Sequence, residues 1–441
     1  MKTFLIITAL ASLVVGRPTC SKRPAYGKST TTTATAAAAT ISTTSTLNTN
    51  TTNTNSTTSK LATGWYPGWY QTKFAPSQIP WEKYSALTFA FATTTPDLNN
   101  LTLPDGEAVV QEFVSQAHSH NVKALYSVGG WTGSMFFSSA VATAENRTAF
   151  TKTLVDFANK YKFDGIDFDW EYPNKQGIGC NTISDNDTAN FLELLQEVRT
   201  KVGNDFQLTA AVGMAPFNGP DGTPSSDVSG FAKVLNHIAI MAYDVYGTFS
   251  TVGAGPNAPL QDSCAPTKNQ MGSGTSSVKA WTAAGFPANQ ILLGVPSYGH
   301  SYTVANYAIG SDAKKLAEYP SFDANLVPLG TGETSRAVVP DQCGVPTGPG
   351  GVFDYSDMVT RGFIDSKGNP ANGILHQFDE CSQTAYVYNA SSQVLINYDD
   401  PNSFKAKGNF IRDQNLGGFA MWHIASDSSD SSLLDTIIAN M

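Results

Sequence analysis

One stretch of the chain reads Asp164-Gly-Ile-Asp167-Phe-Asp169-Trp-Glu171-Tyr172 and gathers four carboxylates. In an extended strand alternate side chains share a face, so Asp167, Asp169 and Glu171 project together, about 6–7 Å apart per step. Asp164 has the opposite parity and is expected to play a structural part. Ile166, Phe168 and Trp170 lie between them and imply burial on both sides. Three carboxylates on a buried face repel one another unless protons, hydrogen bonds or a cation offset the cost. That repulsion has a chemical use: a carboxyl beside other carboxylates keeps its proton to higher pH and can act as a general acid. Glu171, last in the row, is the expected proton donor. Two plainer readings compete with this one. A calcium or magnesium ion takes oxygen ligands, but a straight strand wraps a cation poorly and the loop and glycine of an EF-hand are missing. A solvated acidic face conflicts with the apolar residues between the carboxylates. No metal and no other cofactor is therefore expected.

Such a row needs a scaffold. Short apolar runs at 64–66, 86–92, 122–128, 165–171, 207–213, 237–243, 291–296 and 418–422 read as strands. Helical patterns fall between them. One spans 107–118, a second spans 146–161 with Phe150, Leu154, Phe157 and Tyr161 on one face, and a third spans 186–202 with Phe191, Leu194, Leu195 and Val198. Eight strands alternating with helices predict an α/β fold, a (β/α)8 TIM barrel, whose substrates bind at the C-terminal mouth of the strands. Residues 297–416 break the alternation; that interval is too long for a plain loop. It is read as a small inserted α+β subdomain at about 301–381, followed by the seventh helix.

The chain has 441 residues, enough for one large domain with extras. Residues 1–16 carry Lys2 and then an apolar run too short to span a bilayer as a helix; they read as a secretory signal peptide. From 29 to 59 the sequence is almost wholly Thr, Ser, Ala and Asn, which cannot bury enough apolar surface to offset its ordering entropy. Residues 17–60 are thus expected to form a flexible, O-glycosylated linker, with a tail of no role as the plainer reading. The folded domain is expected over 61–441. Asn-x-Ser/Thr sequons at Asn50, Asn55, Asn100, Asn146, Asn186 and Asn389 fit a secretory route. A net charge of −9 repels phosphate backbones and anionic lipid, so neither nucleic acid nor a membrane is an expected partner. Secretion permits disulfides. Of five cysteines, Cys20 is the odd one; Cys180 with Cys264 and Cys343 with Cys381 is the expected pairing among three possible ones.

With those residues in view, the acidic segment resembles the DGxDxDWE signature of glycoside hydrolase family 18, the chitinases and their relatives. Three further motifs follow the family's order. Ser127-Val-Gly-Gly130-Trp131 is similar to its SxGG element, Met241-Ala-Tyr243-Asp244 to its MxYD element, and Gly417-Gly-Phe-Ala-Met421-Trp422 to its strand-eight segment. The resemblance covers roughly 61–441. It implies a retaining mechanism in which the substrate assists. Glu171 would protonate the glycosidic oxygen, and the sugar's 2-acetamido carbonyl would attack the anomeric carbon to give an oxazolinium ion. Asp169 would hold the acetamido N–H, and Asp167 would share a proton with Asp169 beside Ser127. Tyr243 would hydrogen-bond the acetamido oxygen, Asp244 would hold the distorted sugar, and Glu171 would return as base for water. Trp422 would floor the reacting sugar, with Phe91, Met241 and Gly130 in the same pocket and Tyr172, Trp131 and Tyr298 at neighbouring positions. Ordinary core packing is the plainer reading for each aromatic.

Two departures stand out. His300 occupies a position where many family members carry arginine, which puts that charged contact in question. On strand one, either Trp65 or Tyr66 could stand beside the first catalytic aspartate. The implied partner is chitin or chito-oligosaccharide, met outside the cell by a monomer. Two other functions are open at this stage: a carbohydrate-binding lectin on the same fold, and an endo-β-N-acetylglucosaminidase acting on N-glycans.

Overall fold

The computed structural model describes residues 60–305 and 316–441. The expected signal peptide, the linker before Lys60, Cys20 and the sequons at Asn50 and Asn55 lie outside the described residues.

Eight parallel strands close into a barrel. They are β1 (Leu61–Pro67), β2 (Ala86–Thr94), β3 (Lys123–Gly129), β4 (Gly165–Asp169), β5 (Gln207–Val212), β6 (His237–Ile240), β7 (Ile291–Pro296) and β8 (Gly418–Trp422). Each pairs with its neighbour in number, and β8 pairs back to β1 through Leu61↔Gly418. Strands of a parallel barrel are covered on both faces, which is why their sequences are nearly continuous apolar runs. Outward residues such as Ile166, Phe168, Ile238, Leu293 and Phe419 join the main core under the helices. Inward ones are smaller: Ala90, Ala211, Ala239 and Ala420 pack with Trp65 and Leu292 inside the barrel. Small interior residues leave room for the polar side chains among them.

The helices follow the expected pattern with shifted ends. The second begins at Ala144 rather than 146 because the Thr143 hydroxyl caps it, accepting the Asn146 N–H at 3.2 Å. The third spans Asp187–Val202. Between β1 and β2 the chain makes only 3-10 turns, and Lys83 of the last turn pairs with Asp435 of the C-terminal helix, Ser432–Asn440, at 2.7 Å. Asp164 is structural, as its parity suggested: its carboxylate takes the Ala124 N–H at 2.8 Å and contacts His118 Nε2 at 2.9 Å.

Two strands stop two or more residues earlier than expected. β4 ends at Asp169 and β6 at Ile240, so Glu171 and Tyr243 stand on the loops just beyond. The insertion is an antiparallel five-stranded sheet in the order Val352–Asp354, Tyr298–Thr303, Val394–Tyr398, Thr384–Asn389, Leu375–Asp379, with a short helix at Tyr355–Thr360. It begins directly after β7 and runs past the expected end at 381. The seventh helix, Pro401–Asp413, follows it.

The disulfide expectation is corrected. Cys180 bonds Cys343 and Cys264 bonds Cys381, with Cα separations of 5.5 and 5.8 Å. Both bonds tie a loop of the barrel mouth to the insertion, a juxtaposition that only the folded path creates. Among the described residues no helix is long and apolar enough to cross a membrane.

Candidate active site

The mouth of the barrel is built around the β4 segment. Asp167 is buried and accepts three hydrogen bonds: Trp65 Nε1 at 3.0 Å and Ser127 Oγ at 2.8 Å on one oxygen, Thr209 Oγ1 at 2.6 Å on the other. Trp65 is therefore the strand-one residue beside the aspartate. Tyr66, of opposite parity, points into the outer core and donates to the Phe74 carbonyl. Burial raises the Asp167 pKa, and the three donors pull against that rise.

Asp169 differs. It is buried, and its Oδ1 has no hydrogen-bond partner. Burial first, then the charges of Glu171 and Asp167, push it well above the usual carboxylate range. Glu171 is lifted to about 7 by burial, with the Asp244 charge adding and a hydrogen bond with Tyr172 opposing. The site thus holds one carboxylate saturated with donors, one lacking them at Oδ1, and one poised to titrate near neutrality.

The loop carrying Glu171 is pinned at both backbone atoms. Ser134 Oγ accepts the Glu171 N–H at 3.0 Å, and Asn181 Nδ2 donates to the Glu171 carbonyl at 2.8 Å. Two close approaches need glycine. A Cβ on Gly129, whose φ is +114°, would lie 2.2 Å from the Asp169 carbonyl, and one on Gly177 would lie 2.1 Å from that of Glu171.

Tyr243 is buried, with its ring 6.2 Å from that of Tyr298. Asp244 has φ 55° and its N–H is held by Asn257 Oδ1 at 3.0 Å. Its carboxylate takes the Tyr298 hydroxyl at 2.6 Å and contacts His300 Nε2 at 2.7 Å. Its side chain is half exposed at the mouth; the partial loss of water there would raise its pKa, but the hydrogen bond and charge of His300, with Tyr298, outweigh that and hold it below the usual range. The corner questioned for lack of arginine is filled by His300, whose Nδ1 is buried without a partner.

Trp422 and Met241 are half-buried between the barrel interior and the Tyr243–Tyr298 cluster. Trp422 lies 5.6 Å from Phe91 and 6.0 Å from Trp65. Gly130 lies against the Phe91 ring, where a Cβ would come within 2.9 Å, so its place is a packing one. Trp131 is 49% exposed, in the short helix Gly130–Gly133 that follows β3. Tyr172 lines an open cavity together with Glu171, Met241, Tyr243 and Asp244. Sequence reasoning missed Trp69, 46% exposed and stacked 6.3 Å from Phe91. It also missed Ser134, Asn181, Asn257 and Thr209. An aromatic pair just past a strand end, Trp69-Tyr70, was a signal within reach; the polar residues carried none. Among the described residues no cluster of His, Cys, Asp or Glu is arranged to hold a metal.

A closed (β/α)8 barrel with an α+β insertion before its last strand and an acidic row at its mouth defines the class. The chain belongs to the glycosyl hydrolases family 18, whose profile matches residues 62–427. It is 49% identical over 378 residues to a protein of Moniliophthora roreri named a chitinase-like effector, covering 84% of this chain and 90% of that one. A second chitinase-like effector, from Moniliophthora perniciosa, is 46% identical over 86% of this chain and 87% of its own. Among solved structures, a chitinase from Rhizomucor miehei superposes with a TM-score of 0.77 at 32% identity, over 86% of this chain and 99% of that one. A GH18 chitinase variant from Cycas revoluta, solved in complex with (GlcNAc)4, has a TM-score of 0.67 at 25% identity over 86% and 99%.

Proposed function

We propose that this protein is a secreted chitinase, a monomer hydrolysing β-1,4-linked N-acetylglucosamine polymers outside the cell with retention at the anomeric carbon. The observation that carries the reading is the pairing of Asp169, with its unpartnered buried oxygen, and Glu171, poised at about 7. Glu171 gives its proton to the glycosidic oxygen as that bond breaks. The acetamido carbonyl of the same sugar closes on the anomeric carbon. Asp169, lacking a donor of its own at Oδ1, takes the acetamido N–H and offsets the positive charge of the oxazolinium ion. Asp167, held by Trp65, Ser127 and Thr209, keeps Asp169 company electrostatically and shares its proton. Tyr243 and Asp244 hold the acetamido oxygen and the distorted ring, Trp422 stacks beneath it, and Glu171 finally takes a proton from water. Trp131, Tyr172, Phe91 and Tyr298 line the approach.

A second reading is a chitin-binding protein with weak or no hydrolysis, favoured by one observation: two relatives near half identity carry the name chitinase-like effector. Hydrolysis of a short N-acetylglucosamine oligomer by the wild type and by Glu171→Gln separates the two. The chitinase reading expects turnover by the wild type and a loss of several orders of magnitude in kcat for the variant, with binding kept. Binding without cleavage by either protein would establish the second reading. Release of N-glycans with chitin oligomers left intact would point instead to an endo-β-N-acetylglucosaminidase.

A further inference from the structure

The insertion sends out an arm, residues 333–350, whose two sides pair through Val339–Pro340 and Pro346–Thr347. Its base is fixed at the lobe, where the Glu333 carboxylate accepts the N–H groups of Gly330 and Gly350, both at 2.6 Å. Its tip lies elsewhere. Gln342 Nε2 donates to the Thr132 carbonyl at 2.7 Å, in the short helix Gly130–Gly133 after β3, and Cys343 is bonded to Cys180, on the loop after β4.

The order of strands round the barrel gives these contacts their meaning. The lobe springs from between β7 and β8; the gap between β3 and β4 is the one diametrically opposite. Extended chain from 333 to 342 reaches roughly 30 Å, which is ample for a crossing. Among the described residues, hydrogen bonds leave the arm at its lobe end, where Arg336 also donates to the Val327 carbonyl, and at its tip. Between them Val338, Val339 and Val345 are 63, 58 and 51% exposed, so the arm is not laid down on the rim. Its anchor also sits next to the chemistry, since Asn181, the neighbour of Cys180, holds the Glu171 carbonyl.

We propose that this arm is a disulfide-bolted strap across the substrate cleft, which makes a polysaccharide enter by threading a free end beneath it. A groove open from above can seat any internal stretch of a polymer. A strap covalently fixed on both sides cannot admit a chain sideways, so the ends of the substrate decide access. The inference rests on the carbohydrate-binding reading of the mouth, but not on hydrolysis.

The test therefore uses binding by the Glu171→Gln protein, which leaves its ligand uncut. Two probes are compared by calorimetry: a long N-acetylglucosamine oligomer with free ends, and the same oligomer with a bulky globular group on each end. The strap predicts binding of the free oligomer and little or none of the blocked one. It further predicts that Cys180→Ser with Cys343→Ser binds both. Should that variant fail to bind even the free oligomer, the same comparison is made on the folded Glu171→Gln protein after reduction of the exposed bond. Equal binding of both probes by the disulfide-bonded protein would overturn the strap alone. Continued exclusion of the blocked probe once the bond is gone would also overturn it. No binding of the free oligomer by the bonded protein would overturn the carbohydrate reading and the strap with it.

Discussion

Glu171 can donate a proton only while it holds one, and its environment sets the pH at which that ends. Burial is the largest contribution to its rise to about 7, and the Asp244 charge pushes the same way. On the proposed mechanism kcat/KM should fall on the alkaline side with a limb near pH 7, because the ionised acid cannot protonate the leaving group. Replacing Asp244 by Asn removes a negative charge that favours the protonated form. The Glu171 pKa must then drop, and the alkaline limb should move to lower pH. The rate itself will also fall, since Asp244 is proposed to hold the sugar, so the position of the limb is the informative quantity. A pH–rate profile of both proteins on one oligomer decides the matter. A limb that stays in place or moves upward would mean that another group governs the alkaline side.

At the scale of elements, the acid is placed by a loop rather than by the strand that leads to it. β4 stops at Asp169, and the next residues are steered by Ser134 and Asn181, one on each backbone polar atom of Glu171. Ser134→Ala removes the acceptor of a buried N–H and frees the loop to shift. A misplacement of the acid by about 1 Å can cost roughly a hundredfold in rate. We expect kcat to fall by roughly ten- to a hundredfold with KM little changed, as steady-state kinetics on a short oligomer would reveal. A rise in KM at constant kcat would assign Ser134 to substrate binding instead. These same contacts mark where the sequence became hard to read. Period-two parity was enough to align Asp167 with Asp169 and to set Asp164 apart. It could not choose between Trp65 and Tyr66 without the register of β1, nor say that the strand ends two residues before Glu171. Ser134, Asn181 and Asn257 act on residues 37, 10 and 13 positions away through loop paths that no local pattern encodes. The disulfides failed for the same reason: four cysteines allow three pairings, and spacing does not rank them.

For the molecule as a whole, the barrel and its insertion act as one body through a few buried junctions. The Cys264–Cys381 bond is one, and the Leu260 N–H to the Ser382 carbonyl at 2.8 Å lies beside it. The most exacting junction is an ion pair. Asp399, just past the last lobe strand, meets Lys407 of the helix that returns the chain to the barrel, and both side chains are almost wholly buried. Burial raises Asp399 to about 6, with the Lys407 charge and hydrogen bond working against it. Taking away one partner of such a pair commonly costs about 3–5 kcal/mol, because the other is left charged and dry. Lys407→Met should therefore destabilise the protein strongly at pH 8, where a lone Asp399 must either stay ionised or take a proton against the solution. At pH 5 the proton is available, the buried carboxyl can be neutral, and the loss should be smaller. Asp399→Asn in the same chain removes the charge altogether and should recover part of the loss at pH 8. Urea denaturation of the three proteins at the two pH values measures each quantity. An equal loss at pH 5 and pH 8 would mean that Lys407 contributes through packing of its aliphatic stem, and that the charge pair does not hold the lobe to the barrel.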